Sequence, residues 1–268
     1  MRVIVIIGRV LDPAGIVVNR RRGRIFVNQE EYVLQPADRC ALEAALRIKD
    51  ASGAEVVALP RGSQPDDDVM RQAVAAGADR AVHLTGEAFA EADEAAATGV
   101  LGAVVERMGG ADLILTGSTT LDTGQGQLGP RLAEAMGWRQ VLDAWQLTVV
   151  DGTVEAVLKD GRGYATVQAD LPAVVTLLPG ALKLRYPDGA RLINVYRGEG
   201  DVADAVATWD VGELVDEVEP LLESRGKDFP PERERGVRVG GSPDEMAQAA
   251  AAALLERLGR EGCHLLTC

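Results

Sequence analysis

Short apolar runs alternate with stretches of helical periodicity over the first 117 residues. Val3–Ile7 is a continuous apolar run, the pattern of a strand buried on both faces. Arg39–Lys49 carries Ala41, Leu42, Ala45, Leu46 and Ile48 on one helical stripe, with Asp38 placed to cap it. The alternation continues with a strand at Glu55–Leu59, a helix at Asp66–Ala76 and a strand at Arg80–Leu84. It ends with an alanine-rich helix at Ala92–Met108 and a strand at Asp112–Gly117. Strands that alternate with amphipathic helices predict an α/β fold, a doubly wound and mostly parallel sheet.

Two excursions interrupt this rhythm. Asn19–Arg24 before Ile25-Phe26-Val27 predicts a hairpin turning at Arg22-Gly23, and its arginines read as a solvated tip before a phosphate contact. Beyond Trp138 the pattern becomes β-rich. Leu147–Val150 and Val154–Val157 flank Asp151-Gly152, a hairpin signal, and Tyr164–Ala169 and Ala173–Leu177 are further strands. From Val202 the chain is acidic and weakly apolar, with Phe229–Arg235 reading as an exposed connection. A last helix follows Ser242, with Pro243 and Glu245 completing a capping box. Its stripe of Met246, Ala250, Leu254 and Leu258 needs a surface to pack on, either its own domain or another subunit.

Composition narrows the partners. With 28 basic and 41 acidic side chains the formal charge is −13, so no basic surplus exists to neutralise nucleic acid or an anionic membrane. An anionic small ligand stays open, since it needs only a nest of backbone N–H groups. Cys40, Cys263 and Cys268 are too few and scattered for a disulfide framework or a four-thiolate zinc site. Of the two histidines, His83 reads as a packing or edge residue of a strand and His264 as a solvated tail residue. The apolar start is too short for a signal segment and no run approaches the ~20 residues that span a bilayer, which predicts a cytoplasmic protein without membrane insertion.

The most informative segment runs from Gly117 through Asp122, Thr123, Gly124, Gln125, Gly126, Gln127, Leu128, Gly129 and Pro130 into a helix from Arg131. It follows the carboxyl end of a predicted parallel strand, where open α/β sheets bind ligands, and its small residues let backbone approach a phosphate. It matches neither a Walker loop nor a dinucleotide fingerprint, so an anion site and a merely tight strand-to-helix connection both remain. No paired carboxylates, activated nucleophile or metal cluster accompany it, and a self-sufficient enzyme is hard to find.

In that segment and its surroundings the chain resembles the β (small) subunit of electron transfer flavoproteins, almost end to end. The likeness is carried by Val3–Ile7 with Arg9-Val10, Leu34-Gln35-Pro36-Ala37-Asp38, Ala75–Ala81, Asp122–Pro130 with Leu132-Ala133-Glu134, and Leu171–Thr176. Arg185-Tyr186-Pro187 and Gly241–Glu245 extend it. The resemblance implies a Rossmann-like, adenine-nucleotide-binding domain over 1–200 and a C-terminal arm over 201–268 whose helix packs on a partner subunit. It implies a heterodimer with a larger α subunit that mainly holds the electron-carrying FAD, and AMP in the β subunit. Electrons would pass between a dehydrogenase and a quinone reductase. In the electron-bifurcating branch a second FAD takes the AMP position and oxidises NADH. A non-redox nucleotide-binding module on the same scaffold is the alternative from another class.

Carried over, the nucleotide contacts are the Ile6 backbone, Gln35, Pro36, Ala37, Asp38, Arg61, the loop from Asp122 to Pro130, and Ala133. The partner-docking segment is Arg185, Tyr186, Pro187, Asp188, Gly189 and Leu192. This chain departs from the family where Gly8 replaces a frequent lysine and Gln35 a frequent asparagine. The loop lacks the family's second aspartate and its threonine, and Gly189 stands where a leucine anchor is expected, with Leu192 either substituting as the anchor or buried in its own domain. The loop changes predict altered phosphate and ribose contacts, and the changes at Gly189 and at Asn194–Arg197, which replaces a lysine-rich run, predict a redox partner other than the usual acyl-CoA dehydrogenases.

Overall fold

Strand β1 (Arg2–Ile7) sends Val3, Val5 and Ile7 into one apolar layer and Ile4 and Ile6 into the other, all fully buried. Each such side chain contributes about 1.5–3 kcal/mol on leaving water. The computed structural model describes residues 1–62, 67–86, 89, 92–161, 163–216, 218–222, 236 and 238–260, with side chains to 256 in the last stretch. The readings placed on Asp66, Phe229–Arg235, Cys263, His264, Cys268 and the side chain of Leu258 lie outside those residues.

After β1 come β2 (Arg9–Leu11), β3 (Ile16–Asn19), β4 (Arg24–Val27) and β5 (Tyr32–Leu34). These make two small antiparallel pairs, and the β3–β4 hairpin turns through Arg20–Arg22 and Gly23 as predicted. The α/β alternation then runs α1 (Pro36–Ser52), β6 (Glu55–Pro60), α2 (Asp67–Ala76), β7 (Arg80–Thr85), α3 (Glu94–Arg107) and β8 (Leu113–Gly117). The loop after β8 leads into α4 (Leu128–Met136). The β-rich part is β9 (Arg139–Val150), β10 (Thr153–Asp160), β11 (Gly163–Asp170) and β12 (Ala173–Leu177), followed by α5 (Gly189–Arg197) and β13 (Val206–Asp210). Asp151 and Gly152 turn the β9–β10 hairpin, both at positive φ, the conformation an Asp-Gly type I′ turn requires.

Nine strands form one sheet in the order β11-β10-β9-β12-β8-β1-β6-β7-β13. From β9 to β13 every neighbour is parallel, whereas β10 and β11 add an antiparallel extension. The chain winds outward from β1 through β6 and β7, then returns to β8 on the other side of β1. Helices α1 and α2 pack on one face of the sheet, α3 and α4 on the other. Strand β13 extends the sheet past residue 200, and His83 lies in β7 between β6 and β13, a packing position inside the sheet.

Residues 1–224 form one compact unit and 225–268 a second. In the second, α6 (Pro243–Arg260) starts with the predicted capping box: the Ser242 amide donates to Glu245 Oε2 at 2.8 Å. Among the described residues, no helix is long and apolar enough to cross a membrane.

Candidate functional site

The order reversal at β1 opens a crevice at the carboxyl ends of β1, β6 and β8, the place where open α/β sheets take ligands. A cleft of about 180 Å³ lies there, lined by Gly8, Gln35, Arg61, Glu94, Thr120 and Asp122 among others.

Asp38 lies beneath the cleft, and its role differs from the predicted helix cap. Helix α1 begins at Pro36, three residues before the predicted Arg39, with Gln35 as N-cap, because proline is pre-set for a first turn. The fully buried Asp38 carboxylate turns instead to the sheet. It accepts from the Gly8 amide at 2.9 Å, the Gly117 amide at 2.8 Å and Arg61 Nη2 at 2.6 Å. One carboxylate thus ties the ends of β1, β6 and β8 together. Burial works to lower the Arg61 pKa, but Asp38 above all, then Glu94 and Asp122, outweigh it and hold the guanidinium charged. Arg61 Nη2 also donates to Thr116 Oγ1 at 2.7 Å and to the Gly117 carbonyl at 2.9 Å.

Gln35, buried at the start of α1, fastens the glycine-rich loop. Its Oε1 accepts from the Leu121 amide at 2.9 Å, and its Nε2 donates to Asp122 Oδ1 at 3.3 Å. Inside the loop, the Thr120 amide donates to the Gln125 carbonyl at 2.8 Å, and the Thr120 and Thr123 hydroxyls pair at 2.7 Å. Helix α4 starts at Leu128, three residues before the predicted Arg131, since Gly129 and Pro130 fit a first turn. Gly129 can sit there because it meets Thr176 of β12 with no room for a Cβ.

The predicted nucleotide residues therefore separate into groups. Gln35, Arg61, Asp122, Thr123 and Gln125 line the cleft. Gly124, Gly126 and Gln127 belong to the same loop, with Gly124 and Gln127 exposed. The Ile6, Ala37, Asp38, Leu128, Gly129 and Ala133 positions are buried in the layers that support it, with Pro36 and Pro130 half-buried at helix starts. Sequence reasoning missed Asp93 and Glu94 at the start of α3. Asp93 caps that helix by accepting from Ala95 and Ala96, and its other oxygen accepts from the Leu221 and Leu222 amides at 2.8 and 2.9 Å. Glu94 Oε2 accepts from the Gln127 amide at 2.8 Å, joining α3 to the loop. Only the position of a helix start opposite the loop could have pointed to them.

The predicted docking segment lies apart from this cleft. Arg185 is clamped to α1, its Nε donating to Glu43 Oε2 at 3.0 Å and its Nη2 meeting Asp50 at 2.8 Å. Tyr186 is 86% exposed, and Pro187, Asp188 and Gly189 are exposed with it. Asp188 caps α5 by accepting from the Arg191 amide. Leu192 is half-buried on the core and lines a groove of about 670 Å³ with Pro187, Ile193 and Tyr196. Burial first, then a hydrogen bond to Asp68, pushes the Tyr196 hydroxyl up to about 12.

Comparison with known proteins adds a family. Residues 24–199 match the electron transfer flavoprotein domain. The chain is 32% identical to Protein FixA of Azorhizobium caulinodans over 206 residues, covering 74% of this chain and 73% of that one. It is 28% identical to the electron transfer flavoprotein subunit beta of Bacillus subtilis, covering 87% of this chain and 89% of that one. It is 27% identical to the acryloyl-CoA reductase electron transfer subunit gamma of Anaerotignum propionicum, covering 96% and 99%.

Proposed function

Because this chain belongs to the electron transfer flavoprotein family, we propose that it is the smaller subunit of a two-subunit electron carrier. In this reading it holds AMP in the cleft at the ends of β1, β6 and β8, and completes a site for FAD held mainly by the partner subunit. The FAD, when bound, supplies the electron-accepting and electron-donating chemistry. The chain's own residues position and enclose. Gln35 and Asp122 keep the loop closed over the cleft, and Asp38 and Arg61 hold the strand ends that form its floor. The donor is read as a dehydrogenase and the acceptor as a quinone reductase, with the exposed Tyr186–Gly189 segment as the docking point. The second unit, with its capped helix, is assigned to the partner subunit.

The observation that carries this reading is the cleft itself, at the switch point and beside a glycine-rich loop pinned at both ends. The test is co-expression with the candidate partner subunit, acid release of bound nucleotides and their quantification by chromatography. One AMP and one FAD per heterodimer is the expected result. Two FAD and no AMP would replace it with the bifurcating arrangement, to be checked with NADH. No partner and no flavin would remove the electron-transfer reading and leave a nucleotide-binding module.

A further inference from the structure

The β3–β4 hairpin carries apolar side chains on both of its faces. Its register sets Ile16 opposite Val27 and Val18 opposite Ile25 on one face, and Val17 opposite Phe26 on the other. Strands with that composition are normally buried on both sides. Here Val17, Val18, Ile25, Phe26 and Val27 are all exposed, Ile25 by 57%. A two-stranded ribbon is marginal in water by itself, and exposed apolar strands invite pairing with other chains. Arg20, Arg21 and Arg22 at the turn, with Arg24 beside them, are exposed too. Among the described residues no ion pair engages any of the four. The hairpin has no acidic residue, in a chain whose net charge is −13.

The shape of the hairpin selects its cover. Inserting tip first into a bilayer would carry Arg20–Arg22 into the hydrocarbon ahead of the apolar residues, which is costly. Lying flat on a bilayer would leave the second apolar face in water. Nucleic acid would meet the arginines and leave both apolar faces bare. A protein groove encloses both faces and can end in carboxylates that receive the arginines. Burial of this apolar kind marks permanent interfaces, whereas an enzyme that docks in passing would leave the ribbon bare between encounters. The hairpin also stands on the cleft: its stem is β2 paired with β5, and Arg9 at the start of β2 and Gln35 after β5 both line it. Resting on the two-subunit reading above, we infer that Ile16–Val27 is a docking arm held by the partner subunit in an apolar groove with an acidic end. It lies in a different part of the chain from the Tyr186–Gly189 segment assigned to the redox enzymes.

The experiment uses the co-expressed heterodimer with the photoreactive residue p-benzoylphenylalanine in place of Phe26. Light should link it to the partner subunit, through a peptide richer in Asp and Glu than in Lys and Arg. A heterodimer that forms but links only within its own chain would overturn the inference and leave the two-subunit reading standing. Wild type that forms no heterodimer would remove both. A second measurement replaces Arg20, Arg21 and Arg22 together by serine. Their side chains hold no ion pair in this chain, so its own thermal unfolding should not move. The dissociation constant of the heterodimer should rise about tenfold or more at low salt, with the difference from wild type shrinking as salt screens the charges. An unchanged constant at every salt concentration would overturn the acidic end of the groove. Flotation of the wild-type heterodimer with vesicles of phosphatidylglycerol and phosphatidylcholine, lost in Phe26→Ser, would give the arm to a membrane and overturn the inference.

Discussion

Asp38 and Arg61 form an ion pair of 2.6 Å whose carboxylate is fully buried, although the two residues come from different elements and are joined through three strand ends. A charge taken that far out of water persists only with all its bonding capacity used, and breaking such a pair costs about 3–5 kcal/mol. Asp38→Asn should lose stability on that scale in urea unfolding, and should weaken nucleotide binding with it. Adding Arg61→Met to that variant should restore only part of the loss, because asparagine keeps one acceptor oxygen and would turn its NH2 to the other of the Gly8 and Gly117 amides. Full recovery would mean the ion pair, not the strand tie, is what matters.

Gly117 ends β8 directly over the start of α1. A Cβ there would come within 2.6 Å of the Ala37 Cβ and within 2.9 Å of its carbonyl carbon. Gly117→Ala should therefore cost about 1–3 kcal/mol, the range for overpacking, and displace the start of the loop. Gly62, at the cleft's edge, would meet nothing within 4 Å, and Gly62→Ala should leave stability unchanged. Thermal unfolding of the two variants side by side checks the contrast.

The parallel α/β core was legible in the sequence because strands buried on both faces read as apolar runs and their helices as stripes. What escaped was tertiary in origin. Asp38 has the spacing of a cap, and no local pattern tells that its carboxylate turns toward residues 79 positions away in sequence. Strand β13, Val-Ala-Thr-Trp-Asp, is a short edge strand with only one neighbour, so it lacks the apolar run of its buried counterparts. Glu94 looks like any acidic residue in a helix's first turn, where the dipole favours it. Only the fold brings it opposite Gln127 and Arg61.

Asp93 is the sole carboxylate among the described residues that holds the Leu221 and Leu222 amides. The hydrogen bond from the Ala96 amide, with help from Leu221, Leu222 and Ala95, holds its carboxyl below the ordinary value of 3.8 despite some burial. A depressed value means the contact persists through neutral pH and is lost as pH falls through the folded value. Asp93→Ala should speed amide exchange at Leu221 and Leu222 while leaving strands β1 and β8 protected. Unchanged exchange there would show that the segment is held by its apolar contacts alone.

Glu43 of α1 anchors, through Arg185, the segment proposed as the docking point. Burial pushes its carboxyl up, but hydrogen bonds from Arg185 and Arg47 outweigh it and hold the group below the ordinary 4.5. A folded-state value lower than the unfolded one adds stability that is fully present above the unfolded value and fades as pH falls through the folded one. Glu43→Gln keeps the shape and removes the charge, so at pH 7 it should cost about 1.5–3 kcal/mol, as for hydrogen bonds to a charged group. The gap from wild type should narrow steadily below pH 4.5, where the carboxylate takes up its proton first in the unfolded wild-type chain. Urea midpoints for the two proteins between pH 7 and pH 3 measure it. A gap that stays constant across that range would mean Glu43 acts through packing, and that Arg185 is held by Asp50 instead.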